Sequence, residues 1–371
     1  MLGVKRKVGH RPDYFLLAIF FVLVVFGLVM LSSASSELGK IRFDDSYYYL
    51  KHQLVSGLIL GAIGFFIGTK LNYQYYRKLA LPLLLVSLVT LGLVFTKFGV
   101  VAGGSRRWLS FGSMSFQPAE LLKITFIIYL AAWLSNPKVH RGKSFWAGFL
   151  PFLLISGVTA GLLLLQPATS MVVILVGAGL IVYFLSGIQI KYLLTLGLIG
   201  IVVLGIVVYL TTYRFQRVAS FFKGGGDLEG SGYHLKEALI AIGSGGWTGV
   251  GFGESKTKTN YLPAPIDDSI FAVTGEELGF VGAGALVAVF GVLIFRLFML
   301  ARNMRDQFGQ LLVIGFASIV GIQSIINIAA ISGLMPLTGV PLPFISYGGT
   351  ALAVFLTMSG IIINVSKYTR N

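Results

Sequence analysis

The chain has 371 residues, 56% hydrophobic and 12% charged, with a mean hydropathy of +0.85. Soluble domains carry about 25% charged residues, and about 20 consecutive apolar residues span a bilayer. The many such runs here exclude a soluble globule and indicate a polytopic membrane protein. The lack of cysteine excludes a disulfide framework, thiolate metal sites, iron–sulfur clusters and cysteine catalysis. A net charge of +15 then reads as membrane topology rather than affinity for nucleic acid.

Apolar runs between charged or Gly/Pro boundaries predict an all-α polytopic membrane fold of about ten transmembrane helices, forming one transmembrane domain over 1–371. The predicted spans are 13–35, 51–69, 79–96, 118–135, 145–165, 169–187, 190–211, 270–300, 309–333 and 344–366. If the short turns 166–168 and 188–189 do not separate spans, eight remain. The first run follows Lys5, Arg6, Lys7 and Arg11 like a signal peptide, but it is too long and lacks a small-residue cleavage site. It is read as a retained helix.

With the N-terminus inside, 16 of the 29 Lys and Arg fall in inner segments, among them Lys138, Arg141 and Lys143; the short outer loops hold six. This bias places both termini in the cytoplasm. The one long non-membrane segment, 212–269, is then extracytoplasmic. Helical spacing of Tyr233, Leu235, Ala238, Leu239 and Ile242 predicts a short helix there, at the membrane surface. No Walker motif or dinucleotide fingerprint is present, which argues against an ATP-driven pump.

Several polar residues call for explanation. Glu120 and Lys123 lie at i, i+3 in the fourth span, so they can pair, either as a structural ion pair or as part of a site. Arg106 and Arg107, beside Trp108 in a Gly-rich outer loop, suit a phosphate or simple interfacial anchoring. Asp267 and Asp268 precede an apolar helix, where an aspartate is commonly a cap. Carboxylates beside apolar neighbours are also where pKa values rise and base chemistry arises. Glu276 and Glu277 extend this acidic cluster, and Arg214 and Arg217 share one face just past the seventh span. Converging basic and acidic groups fit an anionic phosphate-bearing lipid, and fit an anion transporter almost as well. The uncharged loop 333–349, with three prolines, suits a cavity wall or an ordinary re-entrant turn.

Three stretches carry a resemblance: GGSRRWLSFGSMSFQPAELLK (103–123), YHLKEALIAIGSGGWTGVGFGESKTKTNYLPAPIDDSIFAVTGEELGFVG (233–282) and PLTGVPLPFISYGG (336–349). They closely resemble the SEDS family of bacterial wall polymerases, its cell-division branch (FtsW) more than its elongation branch (RodA). The resemblance implies a peptidoglycan glycosyltransferase of the bacterial cytoplasmic (inner) membrane, acting at the division septum. Such an enzyme polymerises lipid II on the outer face and releases undecaprenyl pyrophosphate. It also implies a class B penicillin-binding protein (a transpeptidase) and other divisome membrane proteins as partners, and Mg²⁺ or Mn²⁺ as cofactor. The family's essential aspartate falls on Asp268, the proposed general base, with Asp267 at a position usually held by threonine. Both are candidate metal ligands. Arg106, Arg107, Glu120, Lys123, Arg214, Arg217, Ser346 and Tyr347 are carried as substrate-binding candidates. The chain departs from the family pattern at Ala168, His234, Ala264, Ile266 and Ser269. A lipid II flippase, an elongation-type polymerase and an inactive scaffold for a penicillin-binding protein are the competing readings.

Overall fold

The computed structural model describes residues 10–102, 105–111, 114–136, 144–222 and 230–370. Lys5, Arg6 and Lys7 of the basic N-terminus, and Lys138, Arg141 and Lys143 of the inner-loop charge count, lie outside the described residues.

In chain order, α1 (Tyr14–Phe43) is followed by α2 (Tyr48–Gln53), which a π-helical turn over Leu54–Ile59 joins to α3 (Leu60–Lys70) as one rod. Next come α4 (Gln74–Leu93), the strands β1 (Gly99–Ala102), β2 (Ser105–Phe111) and β3 (Met114–Phe116), and α5 (Pro118–Leu134). They are followed by α6 (Leu150–Leu165), α7 (Thr169–Leu185) and α8 (Ile190–Tyr209). The long segment folds as α9 (Thr212–Phe222), α10 (Ser231–Ser244) and α11 (Thr257–Asn260). Three more spans complete the chain, α12 (Ile270–Arg302), α13 (Gln307–Ile331) and α14 (Gly349–Ser366).

Apolar helices stand at all ten predicted positions. Eight are long and apolar enough to cross a membrane, while α5 and α7 have 17 residues each. The turns at 166–168 and 188–189 do separate helices.

Three local predictions need correction. First, α1 runs on to Phe43 rather than ending at 35. Its Ser32 and Ser36 hydroxyls donate to carbonyls three residues back, which lets polar residues continue the helix. Second, the last span starts at Gly349, not 344, because 336–348 is held in an irregular path with positive φ at Gly339, Phe344 and Gly348. Third, the segment around Arg106 and Arg107 is a three-stranded antiparallel meander rather than a flexible loop.

The two ends of the chain meet. The His10 amide donates to the Lys367 carbonyl at 2.9 Å, and Arg296 donates to Asp13 at 2.9 Å. An even number of spans produces this arrangement. The opposite end of the bundle carries the sheet, α9 to α11, the turn 262–269 and the loop 332–348. α13 is the central rod, with 83% of its apolar window buried, whereas α8 stands at the periphery with 6%.

α12 is broken at Gly279, which has φ +66°. The freed Glu276 and Glu277 carbonyls accept from Val250 and Gly251 amides at 3.0 and 3.2 Å, and Phe280 N–H donates to Gly246 at 2.8 Å. A Cβ at Gly279 would collide with the main chain of Gly249, so the Gly-rich run 245–253 lies against the break by close backbone approach.

Candidate functional site

The turn between α11 and α12 is built from its own backbone. The amides of Asp267 and Ser269 donate to the Ala264 carbonyl at 3.1 and 3.3 Å. The Ser269 hydroxyl donates to the Pro263 carbonyl at 2.9 Å. Two neighbours lock the turn in place. The Tyr347 amide donates to the Ile266 carbonyl at 2.8 Å, and Asn327 of α13 donates to the Asp268 carbonyl at 2.8 Å. Beside the turn lies a cavity of about 530 Å³, walled by the end of α1, α2, α11 and the loop 332–348. Arg42, Lys258, Asp267 and Tyr347 bring its polar groups.

The two aspartates serve different surroundings. Asp267 opens onto the cavity, and its carboxylate accepts no hydrogen bond from the described residues. Protein walls on the other sides desolvate it, and the neighbouring Asp268 charge adds to the effect. Together they push its pKa up to about 7 against the pull of Arg42. Asp268 is 9% exposed and does not line this cavity. Its Oδ2 and the Arg217 Nη1 lie equally close to the point where a Cβ at Gly339 would sit, 3.8 Å from each. Burial raises the Asp268 pKa, while the nearby His234 and Arg217 hold it down. His234, on α10, is itself held below the ordinary imidazole range by burial, with Asp268 opposing.

The arginines do not act as one cluster. Arg106 and Arg107 sit at a register shift of β2, where Val100 faces Trp108 and Val101 faces Arg106, so Arg107 is the extra residue of a bulge. Arg107 donates from Nε to the Gln166 carbonyl at 3.0 Å and from Nη2 to Pro167 at 2.7 Å, capping the C-terminus of α6. Burial lowers its pKa, and Arg217 and Arg214 stand close enough to add to that. Arg107, Arg214 and Arg217 thus form a basic flank beside Asp268, while Arg106 is exposed. Arg217 stacks on Tyr213 at 4.5 Å and donates to the Leu337 carbonyl at 3.2 Å, while its buried Nε has no partner.

Glu120 and Lys123 are brought together but away from the cavity. Both are buried, with Lys123 Nζ 2.8 Å from Glu120 Oε2 and 2.8 Å from Gln323 Oε1. Gln323 in turn donates to the Pro341 carbonyl at 2.8 Å. The pair therefore reaches the site only through α13 and the loop 332–348. Ser346 is likewise buried and accepts from the Leu342 amide at 2.8 Å, so it shapes the loop. Tyr347 does line the cavity, with its hydroxyl 2.8 Å from His52 Nδ1.

Glu276 and Glu277 both fasten the chain before the turn. Glu276 accepts from Ser255, Thr257 and the Lys256 amide. Glu277 pairs with Lys258 at 2.8 Å, and Ser33 of α1 donates to it at 2.6 Å.

Among the described residues no cluster of three or more His, Asp or Glu could cage a metal ion. Mg²⁺ typically needs only one or two carboxylates, with substrate phosphates and waters completing its shell. Asp267, open to the cavity and without a protein partner, fits that mode; Asp268, turned toward Arg217, fits it less well.

The site uses residues that sequence reasoning passed over, namely Arg42, His52, His234, Lys258, Gln323 and Asn327. Gln323 and Asn327 were legible in principle, since two amides one turn apart inside an apolar span must find buried partners.

The FtsW/RodA/SpoVE family model, described as cell cycle protein, matches residues 14–371. Stage V sporulation protein E of Bacillus subtilis (strain 168) is 37% identical, over 97% of this chain and 98% of that protein. A probable peptidoglycan glycosyltransferase FtsW of Trichlorobacter lovleyi is 35% identical, over 99% and 96%. A chain from a structure titled as a peptidoglycan synthase complex coordinating polymerization and crosslinking superposes with a TM-score of 0.80 at 29% identity, covering 96% of this chain and 97% of that one. Thermus thermophilus RodA superposes with a TM-score of 0.71 at 29% identity, covering 97% and 98%. A family match over residues 14–371, relatives more than 30% identical over nearly the whole chain and a shared fold make this chain a member of the FtsW/RodA/SpoVE family.

Proposed function

We propose that the chain is a peptidoglycan glycosyltransferase that polymerises lipid II at the outer face of the bacterial cytoplasmic membrane, in the division branch of its family. The observation that carries this reading is the turn 262–269, which sets Asp267 at a polar cavity and the adjacent Asp268 beside Arg217, at the end of the bundle away from both termini. The Lys and Arg bias places the termini in the cytoplasm and this end outside. In this reading one transmembrane domain spans 1–371 and the segment 212–269 carries part of the active site. The synthase-complex relative supports a class B penicillin-binding protein as partner.

In the proposed step the 4-hydroxyl of one sugar attacks the anomeric carbon of the lipid-linked donor. The new C–O bond forms as the bond to pyrophosphate breaks, and undecaprenyl pyrophosphate departs. Asp268 takes the hydroxyl proton. Burial raises its basicity above that of a free carboxylate, against the opposing pull of His234 and Arg217. Space beside its Oδ2 is kept by the missing side chain at Gly339. Arg42 at the cavity, and Arg107, Arg214 and Arg217 on the other flank, offer positive charge to the phosphates. Mg²⁺ or Mn²⁺, held by Asp267, would neutralise charge developing on the leaving pyrophosphate.

The test uses the purified chain in detergent, with and without its penicillin-binding partner, given fluorescent lipid II and Mn²⁺. A glycan ladder from wild type that Asp268→Ala lacks supports the reading. A ladder undiminished in Asp268→Ala removes the base, and no ladder under either condition moves weight to a flippase or scaffold.

A further inference from the structure

The His234 ring and the Ser269 hydroxyl lie 2.6 Å apart, bridging α10 to the turn that carries Asp268. A serine hydroxyl has one proton; with that of Ser269 on the Pro263 carbonyl at 2.9 Å, Ser269 accepts from the His234 tautomer that carries its proton on Nε2. Ser269 is fully buried, and its hydroxyl thus ties three points together: α10, the start of the turn and the first residue after Asp268. The start of α10 follows a Gly230 of φ +76° with no side-chain cap, and Leu235 packs this end onto the core.

From this geometry we infer that His234 and Ser269 form a positioning pair that holds α10 against the catalytic turn and fixes the direction of the Asp268 carboxylate. The inference rests on the proposed role of Asp268. His234 itself touches no reacting atom in this scheme. It acts through Ser269, and its charge state is not what the pairing requires. A donor of similar reach is sufficient, so glutamine serves in place of the imidazole and alanine does not.

The experiment measures lipid II polymerisation and, separately, amide hydrogen exchange across 262–270, on full-length wild type, His234→Ala, His234→Gln, Ser269→Ala and the double alanine variant. Small misplacements of a catalytic group cost up to roughly 100-fold in rate. His234→Ala and Ser269→Ala are expected to lose roughly 10- to 100-fold in kcat with KM for lipid II within about twofold. The double variant loses no more than the worse single one, and His234→Gln stays within about threefold of wild type. Exchange across 262–270 accelerates in both alanine variants and not in His234→Gln. Full activity in His234→Ala, additive losses in the double variant, or a His234→Gln as slow as His234→Ala would each overturn the pair. If wild type makes no glycan, the proposed function fails instead. The exchange pattern then still decides whether the pair holds the turn.

Discussion

Asn327 donates through one nitrogen to two main-chain carbonyls, that of Asp268 at 2.8 Å and that of Val340 at 2.7 Å. The central rod of the bundle thus holds both the turn that carries Asp268 and the loop facing it. Each buried carbonyl left without a donor costs about 1–3 kcal/mol. Asn327→Ala is expected to lower the thermal midpoint in detergent and to reduce glycan synthesis more than expression. Asn327→Asp should be worse, because it turns an acceptor toward two carbonyls. An aspartate variant as stable as the alanine one would contradict this geometry.

The buried Glu120–Lys123 pair predicts a pattern of non-additivity. Removing one member of a buried ion pair strands the other charge and costs roughly 3–5 kcal/mol, whereas replacing both is often close to neutral. Lys123→Met should therefore collapse stability, with Glu120→Gln added to it restoring much of the loss. Some activity should remain missing in the double variant, since Gln323 loses its contact with Lys123 and is freer to leave Pro341. Thermal scans and polymerisation of the two singles and the double give the answer. A double variant no more stable than Lys123→Met would point to direct substrate contact instead.

Arg106 and Arg107 are adjacent in sequence and should behave differently. Hydrogen bonds from a charged group contribute about 1.5–3 kcal/mol, and Arg107 makes two to the end of α6. Arg107→Ala is expected to lose roughly that much stability. Lysine should rescue poorly, because it lacks the guanidinium fork. Arg106→Ala should fall within about 0.5 kcal/mol of wild type, as exposed substitutions do. Equal losses at both positions would restore the joint phosphate clamp expected from sequence.

The positions of the long apolar helices were legible because each is an apolar run cut by charge, Gly or Pro, and even Gln166–Ala168 suffices to end α6. Helix ends were less so, since Ser32 and Ser36 look like a terminus until their hydroxyls turn back onto the helix. The site was legible at Asp267 and Asp268, whose placement follows from the chain leaving a loop for a membrane helix. Its other half was not. Arg42, His52, His234 and Asn327 come from four separate elements, and only packing brings them to the turn. The reverse held for Glu120, Lys123 and Ser346, whose polarity suggested substrate while their partners proved internal.

Asp267 gives the protein a dependence on pH with a definite sign. Its pKa stands at about 7 in the folded chain, above the ordinary 3.8. Between those values the folded state binds the proton that the unfolded state has released, so stability falls as pH rises through this window. Asp267→Asn removes the titration. At pH 8 its thermal midpoint should exceed that of wild type, and at pH 3 the two should coincide. The gain should be modest, because the carboxylate is open to water in the cavity. Polymerisation runs in the opposite sense, since Asp268 must be ionised to accept a proton and its pKa is also raised. Activity should fall on acidification at a higher pH than an ordinary carboxylate would give. A wild type whose midpoint rises between pH 4 and 7 would show that Asp267 is stabilised in its charged form by a partner in the cavity, and would reverse the sign of its contribution.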